Sequence, residues 1–457
     1  MLTYELKKQP GMPLYEALYR CIRQDILTGR LAPGDKLPSK RALAANLEVS
    51  KITVEGAYNQ LLAEGYIASR EKVGYFVETV EHRQVTTPAQ ETPVPGPEPA
   101  GIDLVANGPV KFPFSVWSRL QRQVMLDLGE KLLLSVENQG LLELRQAIAA
   151  HLAQFRGMQV QADCILIGAG TDFLYNLLIQ LLGRDKRYAL EEPGYGKIRR
   201  IYAAGGVDCV SAPMDRQGVR PQALSNAQVL HISPSHHFPT GIVTSMARRQ
   251  ELLEWAEAAP DRWIIEDDYD SEFRFNAHPM PALYALGKTG RVIYMNTFSK
   301  TLAPSIRISY MILPPGLMTQ FRERLGFYSC TVPSFEQYTL ARFIREGYFE
   351  KHINRMRKFY KARRNRLLDA IAESPMADRL TILEENAGLH FLIKVDTDLS
   401  DSELVQRCSH VGIHIRSLGS YFHDTVPRGN TNCLVVNYSG LSDTDLDNLS
   451  QKLKQGF

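Results

Sequence analysis

The first 78 residues place apolar side chains at helical spacing. Leu14, Leu18, Ile22 and Ile26 share one face of a helix that Gly29 closes. Ser39 is positioned to cap a second helix running to about Leu47, with Leu43 and Leu47 turned inward. Only Glu48 and Val49 separate it from Ser50, the cap of a third helix over 51–64 that packs through Val54, Tyr58, Leu61 and Leu62 and ends at Gly65. Residues 66–69 and 74–78 read as two strands joined by Arg70-Glu71-Lys72-Val73. Two helices around a tight turn, then a hairpin, are the parts of a winged helix-turn-helix.

The pattern breaks at residue 79. Residues 79–101 hold Pro88, Pro93, Pro95, Pro97 and Pro99 and almost no apolar side chains, so they predict an extended linker rather than a core. Beyond it, short apolar runs at 164–168, 229–233, 263–266, 292–296 and 308–313 alternate with helical stretches such as 172–182 and 247–257. This alternation predicts an α/β domain with a mostly parallel sheet. After long helical patterns, strand-like runs return at 389–395 and 434–438, which suggests a smaller α+β part. The expected organisation is a head over 1–78, a linker over 79–101 and a body over 102–457, with a large subdomain over about 135–325 and a small one over about 326–457.

Composition changes this picture little. The 457 residues are 44% hydrophobic and 23% charged with a net charge of +3, ordinary for a globular protein and no announcement of nucleic-acid binding. The six cysteines form no C-x-x-C pair, which points to reduced thiols and no metal cluster. Met1–Pro10 carries Glu5, Lys7 and Lys8 and no apolar core, and no run of about 18 apolar residues occurs, so the expected address is the cytoplasm.

In a winged helix-turn-helix the second helix of the pair lies in the major groove. Its first side chains are Ser50, Lys51 and Thr53, with Arg41 and Lys72 near phosphates or groove edges. With Ser39 these are the candidate DNA contacts, since cations and hydroxyls position a protein on phosphates and a few side chains read bases. A small helical protein-interaction module is the competing reading. The run RALAANLEVSKITVEGAYNQLLAEGYI resembles the GntR family of bacterial regulators over nearly all of residues 12–78. That resemblance implies operator binding by a dimer.

Several segments of the body suit a phosphorylated aldehyde cofactor. Lys300, at the end of an apolar strand, offers an amine for a Schiff base, while Thr297, Ser299 and Arg307 can grip phosphate oxygens. Glu266-Asp267-Asp268-Tyr269 also ends an apolar strand. A carboxylate there can pair with a protonated pyridine nitrogen, and a tyrosine can reach the ring oxygen. A solvated acidic loop or a metal site is the alternative, although no phosphate-binding Gly/Lys loop accompanies the carboxylates. The turn before 172–182 aims backbone N–H groups of Gly170, Thr171 and Asp172 at an anion. Tyr195 can stack on a ring face. His236 and His237 are adjacent, and adjacent side chains rarely converge on one ion, so a loop-stabilising or ring-edge role suits them better.

In this order the segments resemble fold-type I, pyridoxal phosphate (PLP) enzymes of the aspartate aminotransferase type, over about residues 102–457. The resemblance implies PLP held on Lys300, with Asp267 at the pyridine nitrogen, Tyr269 at the ring oxygen and Arg307 at the phosphate. Head and body together are similar to the MocR subgroup of regulators. There the body senses an amino compound or PLP itself, and the protein is a dimer with each head near the partner's body.

The chain departs from the pattern in two places. Such enzymes read Asn-Pro-Thr-Gly where this chain has Phe238-Pro239-Thr240-Gly241, leaving His237 as the substitute at the ring oxygen. The strand that carries a substrate-clamping arginine there reads Cys433-Leu434-Val435-Val436-Asn437-Tyr438 here, with Arg416 as a replacement of unknown position. A missing clamp weakens substrate orientation, on which catalysis depends. Two functions stay open: a PLP-dependent transcription regulator, or a working aminotransferase with an added DNA-binding head. Residues 351–366 hold eight Lys/Arg and no acid, expected as an amphipathic helix with a solvated basic face or, alternatively, an auxiliary DNA-phosphate surface through Arg357, Lys358, Arg363 and Arg364.

Overall fold

The computed structural model describes residues 2–4, 6, 13–70, 73–79, 101–106, 111–273, 275, 280–386 and 388–455. Lys72 and most of the expected linker lie outside the described residues. The chain divides into two compact units, 1–98 and 99–457.

The first unit contains α1 (Leu14–Leu27), β1 (Lys36–Leu37), α2 (Lys40–Asn46), α3 (Lys51–Ala63), β2 (Ile67–Arg70) and β3 (Gly74–Val77). Ser39 Oγ accepts from Ala42 N and Ser50 Oγ from Thr53 N, the two caps expected from sequence. Leu18, Ile22, Leu43, Val54, Tyr58 and Leu61 are fully buried in one core. Leu47 and Leu62 are only partly buried against it. A two-residue strand missed by the pattern, β1, pairs with β3 and makes the wing three-stranded.

The second unit begins with β4 (Ile102–Asp103), α4 (Phe114–Leu128) and α5 (Leu142–Arg156), followed by β5 (Ile165–Gly168), α6 (Thr171–Leu182), β6 (Arg187–Glu192), α7 (Gly196–Ala204), β7 (Asp208–Asp215) and β8 (Gly218–Val219). It continues through β9 (Val229–Ile232), α8 (Met246–Glu257), β10 (Trp263–Asp267), α9 (Leu283–Leu286), β11 (Val292–Thr297), α10 (Phe298–Thr301), β12 (Ser309–Ile312) and α11 (Pro315–Leu325). These strands form one eight-stranded sheet in the order β5-β12-β11-β10-β9-β6-β7-β8. Neighbours from β11 to β7 run parallel, whereas β12 is antiparallel to both β11 and β5, and β8 to β7. The sheet is therefore mixed. The pattern missed β6, β7 and β8, where Arg187, Glu191, Asp208 and Asp215 interrupt the apolar run. Helices cover both faces with separate apolar cores.

The rest comprises α12 (Ser334–Arg345), α13 (Tyr348–Ala372), β13 (Leu380–Leu383), β14 (His390–Val395), α14 (Asp401–His410), β15 (Ile413–His414), β16 (Arg416–Ser417), β17 (Cys433–Asn437) and α15 (Asp443–Gln455). An antiparallel sheet, β13-β14-β17-β16, packs its apolar face on α13, α14 and α15. The chain crosses between cores twice. Ile102 and Leu104 join this smaller core, with β4 paired to β15. Leu340, Ala341 and Phe343 of α12 pack instead with Leu144 and Ile148 of α5.

Helix α13 carries the basic run, and much of that charge has protein partners. Arg357 Nε donates to Glu272 O at 2.5 Å, Arg364 is buried and donates to Glu385 O, Arg363 stacks on Phe359, and Arg366 bridges Asp443 and Asp447. These contacts favour the amphipathic packing helix. Among the described residues, no helix is long and apolar enough to cross a membrane.

Candidate functional site

Chemistry-bearing side chains gather at the C-terminal ends of β6, β9, β10 and β11 and at the turn from β5 into α6. Open α/β sheets bind ligands there because helix N-termini and loops converge on the strand ends. Strand alternation divides the acidic run at the end of β10. Glu266 accepts from Leu283 N and Tyr284 N at 2.9 Å and faces Arg249 at 3.6 Å. Asp268 accepts from Tyr294 OH at 2.6 Å and pairs with Arg156 at 2.7 Å. Both carboxyl groups have internal partners that serve the fold.

Asp267 between them faces the other layer. Its Oδ2 accepts from Tyr175 OH at 2.5 Å and lies 3.5 Å from His231 Nε2. His231 Nδ1 is held 2.8 Å from Tyr202 OH. Burial, then the Asp267 charge, drive the Tyr175 pKa well above its ordinary value, so this phenol stays a donor. The second oxygen, Asp267 Oδ1, is buried without a hydrogen-bond partner among the described residues. Leaving such an acceptor unmet costs about 1–3 kcal/mol, which marks it as reserved for something else.

Lys300 lies in α10, one residue past the capping turn. Thr297 Oγ1 accepts from Ser299 N at 3.1 Å and from Ser309 Oγ at 2.8 Å, so its lone pairs serve the fold. Ser299 Oγ and Tyr269 OH are both buried and have no hydrogen-bond partner among the described residues. Desolvation pulls the Lys300 ammonium below the usual lysine value, with Asp270 opposing it. A lysine made easier to deprotonate is a better nucleophile at neutral pH. Asp270 itself binds His236 Nδ1 at 2.8 Å.

The anion-facing corner is built on Gly170, at φ +89°. A Cβ there would stand 2.2 Å from Arg307 Nη2, so only glycine leaves room for that guanidinium over the start of α6. Arg307 Nη2 and Lys197 Nζ both lie by Asp172 Oδ2, at 3.5 and 2.7 Å. The Asp172 carboxylate thus holds the two cations, while Thr171 begins the helix whose N-terminus favours an anion.

His237 is buried and clamps its own loop, with Nδ1 2.7 Å from Thr240 Oγ1 and Nε2 3.5 Å from Glu191 Oε2. Burial, then His236, lower its pKa to about 3, so the ring is neutral. Glu191 is pushed up to about 8 by burial. Tyr195 is 52% exposed, with its ring 5.9 Å from Phe238 and edge-on to it. Among the described residues no group of three or more His, Cys, Asp or Glu could hold a metal ion.

Sequence reading passed over Arg156, Tyr175, His231 and His390. His390 opens β14, and its ring lies 4.5 Å from His236 and 5.0 Å from Phe238. Gly388 allows this approach, because at φ +71° its missing Cβ would sit 1.7 Å from His236 Cε1. Only the weak signal of isolated polar residues in apolar runs could have flagged these side chains.

In the first unit, Arg41 and Lys51 are exposed on the helix pair. Ser50 Oγ and Thr53 Oγ1 bond each other at 2.8 Å, so these hydroxyls are engaged in capping. Ile52, 79% exposed beside Lys51, was missed because an isoleucine at helical spacing reads as core.

Comparison with known proteins agrees with both units. Residues 14–77 match the bacterial regulatory proteins of the gntR family, and residues 101–453 match aminotransferase class I and II. The chain is 38% identical, over its whole length and 98% of the relative, to the uncharacterized HTH-type transcriptional regulator YhdI of Bacillus subtilis. It is 32% identical, over 99% of its length and 95% of the relative, to the probable rhizopine catabolism regulatory protein MocR of Rhizobium meliloti. Among solved structures, the kynurenine aminotransferase of Pyrococcus horikoshii superposes on 78% of this chain and 89% of its own, with a TM-score of 0.68 at 25% identity. The chain therefore belongs to the MocR-type transcriptional regulators of the GntR family, in which a winged helix-turn-helix is joined to a fold-type I, PLP-type aminotransferase-like domain.

Proposed function

We propose that this regulator holds PLP at Lys300 and changes its affinity for operator DNA when an amino compound, or PLP itself, occupies that site. Residues 1–78 supply the DNA head, 79–101 the linker and 102–457 the sensor. The working form is a cytoplasmic homodimer with each head near the partner's sensor.

The observation that carries the reading is a set of reserved buried atoms around a desolvated lysine. Asp267 Oδ1, Tyr269 OH and Ser299 Oγ have no hydrogen-bond partner among the described residues, and Arg307 is cradled over Gly170. Their chemistry fits PLP: a carboxylate for a pyridinium, a phenol for the ring oxygen, and a hydroxyl and a guanidinium for the phosphate. When bound, the cofactor supplies an electrophilic carbonyl carbon and an electron-withdrawing ring. Lys300 contributes an amine whose proton is easily lost. Asp267 is kept in place as an acceptor by Tyr175 and His231. Neutral His237 offers no charge, and Tyr269 stays protonated because burial and the neighbouring carboxylates raise its pKa.

Lys300→Ala tests the reading. The variant should lose the visible absorption band of the lysine-linked cofactor and the response of DNA affinity to amines while keeping its fold. Retention of that band would overturn the assignment of Lys300. Rapid conversion of the bound cofactor to its amine form by ordinary amino acids, with no change in DNA affinity, would favour an enzyme over a sensor.

A further inference from the structure

Two of the side chains that open α3 are spent on the fold. Ser50 Oγ accepts from Thr53 N at 3.1 Å and shares a 2.8 Å hydrogen bond with Thr53 Oγ1. Lys51 and Ile52, between them, are exposed. At 79% exposure, Ile52 is the large apolar side chain that α3 leaves in solvent.

The helix repeat sets the direction of that side chain. Val54 and Leu61 are fully buried and lie roughly half a turn around the helix from Ile52, at about 3.6 residues per turn. Ile52 therefore stands on the side of α3 that faces away from the core of the first unit. One turn further along that side, Tyr15 of α1 lies against Gly56, where an added Cβ would come within 3.1 Å of the Tyr15 Cβ and Cγ. Helix α1 thus covers the second turn, and the first turn stays open.

A lone side chain is far too small for a protein interface, which buries on the order of 1,000 Å² or more. The exposed cation beside it, Lys51, and exposed Arg41 at the start of α2 suit phosphates instead. In the second helix of a helix-turn-helix, the first residues meet base edges in the major groove. The apolar feature among those edges is the C5 methyl group of thymine. Isoleucine has no side-chain donor or acceptor, so against any other edge it would bury polar atoms without pairing them.

We propose that Ile52 selects a thymine in the operator by contact with its C5 methyl group, and is a specificity-determining residue of the head. The inference rests on operator binding by residues 1–78 and adds the base feature that α3 selects.

The test uses the full-length protein loaded with PLP and a random-sequence DNA duplex library, from which the bound sites are selected and sequenced. Each thymine of the selected site is then replaced singly by deoxyuridine, which lacks the methyl group, and affinity is read by fluorescence anisotropy at fixed salt. Burial of one methyl group corresponds to about a fourfold effect, so uracil at the contacted position should weaken wild-type binding by about that factor. Ile52→Ala should bind the thymine and uracil duplexes equally. Ile52→Val, which keeps a branched apolar side chain, should retain part of the discrimination. Selection with Ile52→Asn should move the preferred base at that position to adenine, whose N6 and N7 suit an amide. Wild-type protein that tolerates uracil at every thymine overturns the proposal, and this arm needs no variant to fold. Discrimination that persists unchanged in Ile52→Ala overturns the assignment to Ile52 while leaving operator binding intact. A library from which no sequence is enriched removes sequence reading by the head and the thymine contact together.

Discussion

Gly170→Ala is the most pointed test of the anion corner. The added Cβ would approach Arg307 Nη2 to 2.2 Å, on a backbone at φ +89° that side chains rarely adopt. Holding alanine there costs on the order of 1–3 kcal/mol of folding stability. The guanidinium can yield, since the Arg307 side chain is 50% exposed, and the protein should still fold. What is lost is the position of Arg307 over the start of α6. A hydrogen bond to a charged group contributes about 1.5–3 kcal/mol, and partial exposure favours the lower end, so PLP affinity should fall about tenfold. Phosphate-free pyridoxal provides the control, because it lacks the phosphate proposed to meet Arg307. Equilibrium dialysis of both ligands against wild type and variant measures the effect. The reasoning is refuted if PLP affinity stays within about twofold of wild type, or if pyridoxal weakens as much as PLP.

Three further outcomes are expected. His237 is held neutral, with its pKa lowered to about 3 from 6.5, so the folded state binds fewer protons than the unfolded chain between those values. Its contribution to stability is present above pH 6.5 and is lost as pH falls toward 3. The stability difference between wild type and His237→Gln, from urea unfolding, should therefore narrow on acidification, and a constant difference would contradict this. Ile52→Glu should abolish operator binding in a mobility-shift assay while leaving the melting temperature within about 2 °C, since the side chain is 79% exposed in the first turn of α3, the helix expected to enter the groove, where an added anion would repel DNA. Arg364→Ala should destabilise the protein by about 2–4 kcal/mol through loss of buried packing and hydrogen bonds, with the salt dependence of DNA binding unchanged.

The sequence by itself determined the elements whose signal is local. The three helices of the first unit, the serine caps of the second and third, and the strands leading to Asp267 and Lys300 are written in apolar spacing and capping chemistry, both of which act within a few residues. Lys300, Asp267, Tyr269 and Arg307 stood out as candidates because each follows an apolar strand or its turn with a side chain that no core requires. Tertiary structure alone decided the rest. The antiparallel insertion of β12 depends on pairing across long sequence distances. The partners of Asp267 are Tyr175 and His231, 92 and 36 positions away in the chain, and no local pattern links them. Strand alternation separates Asp267 from Glu266 and Asp268, but which partners each face meets was set by the helices that cover the sheet. The basic run of α13 was expected as an amphipathic helix with a solvated basic face, yet Glu272, Glu385, Phe359, Asp443 and Asp447, which engage much of that charge, are brought to it only by folding. Arg416 could not be placed from sequence, because its position opposite Val435 depends on strand register.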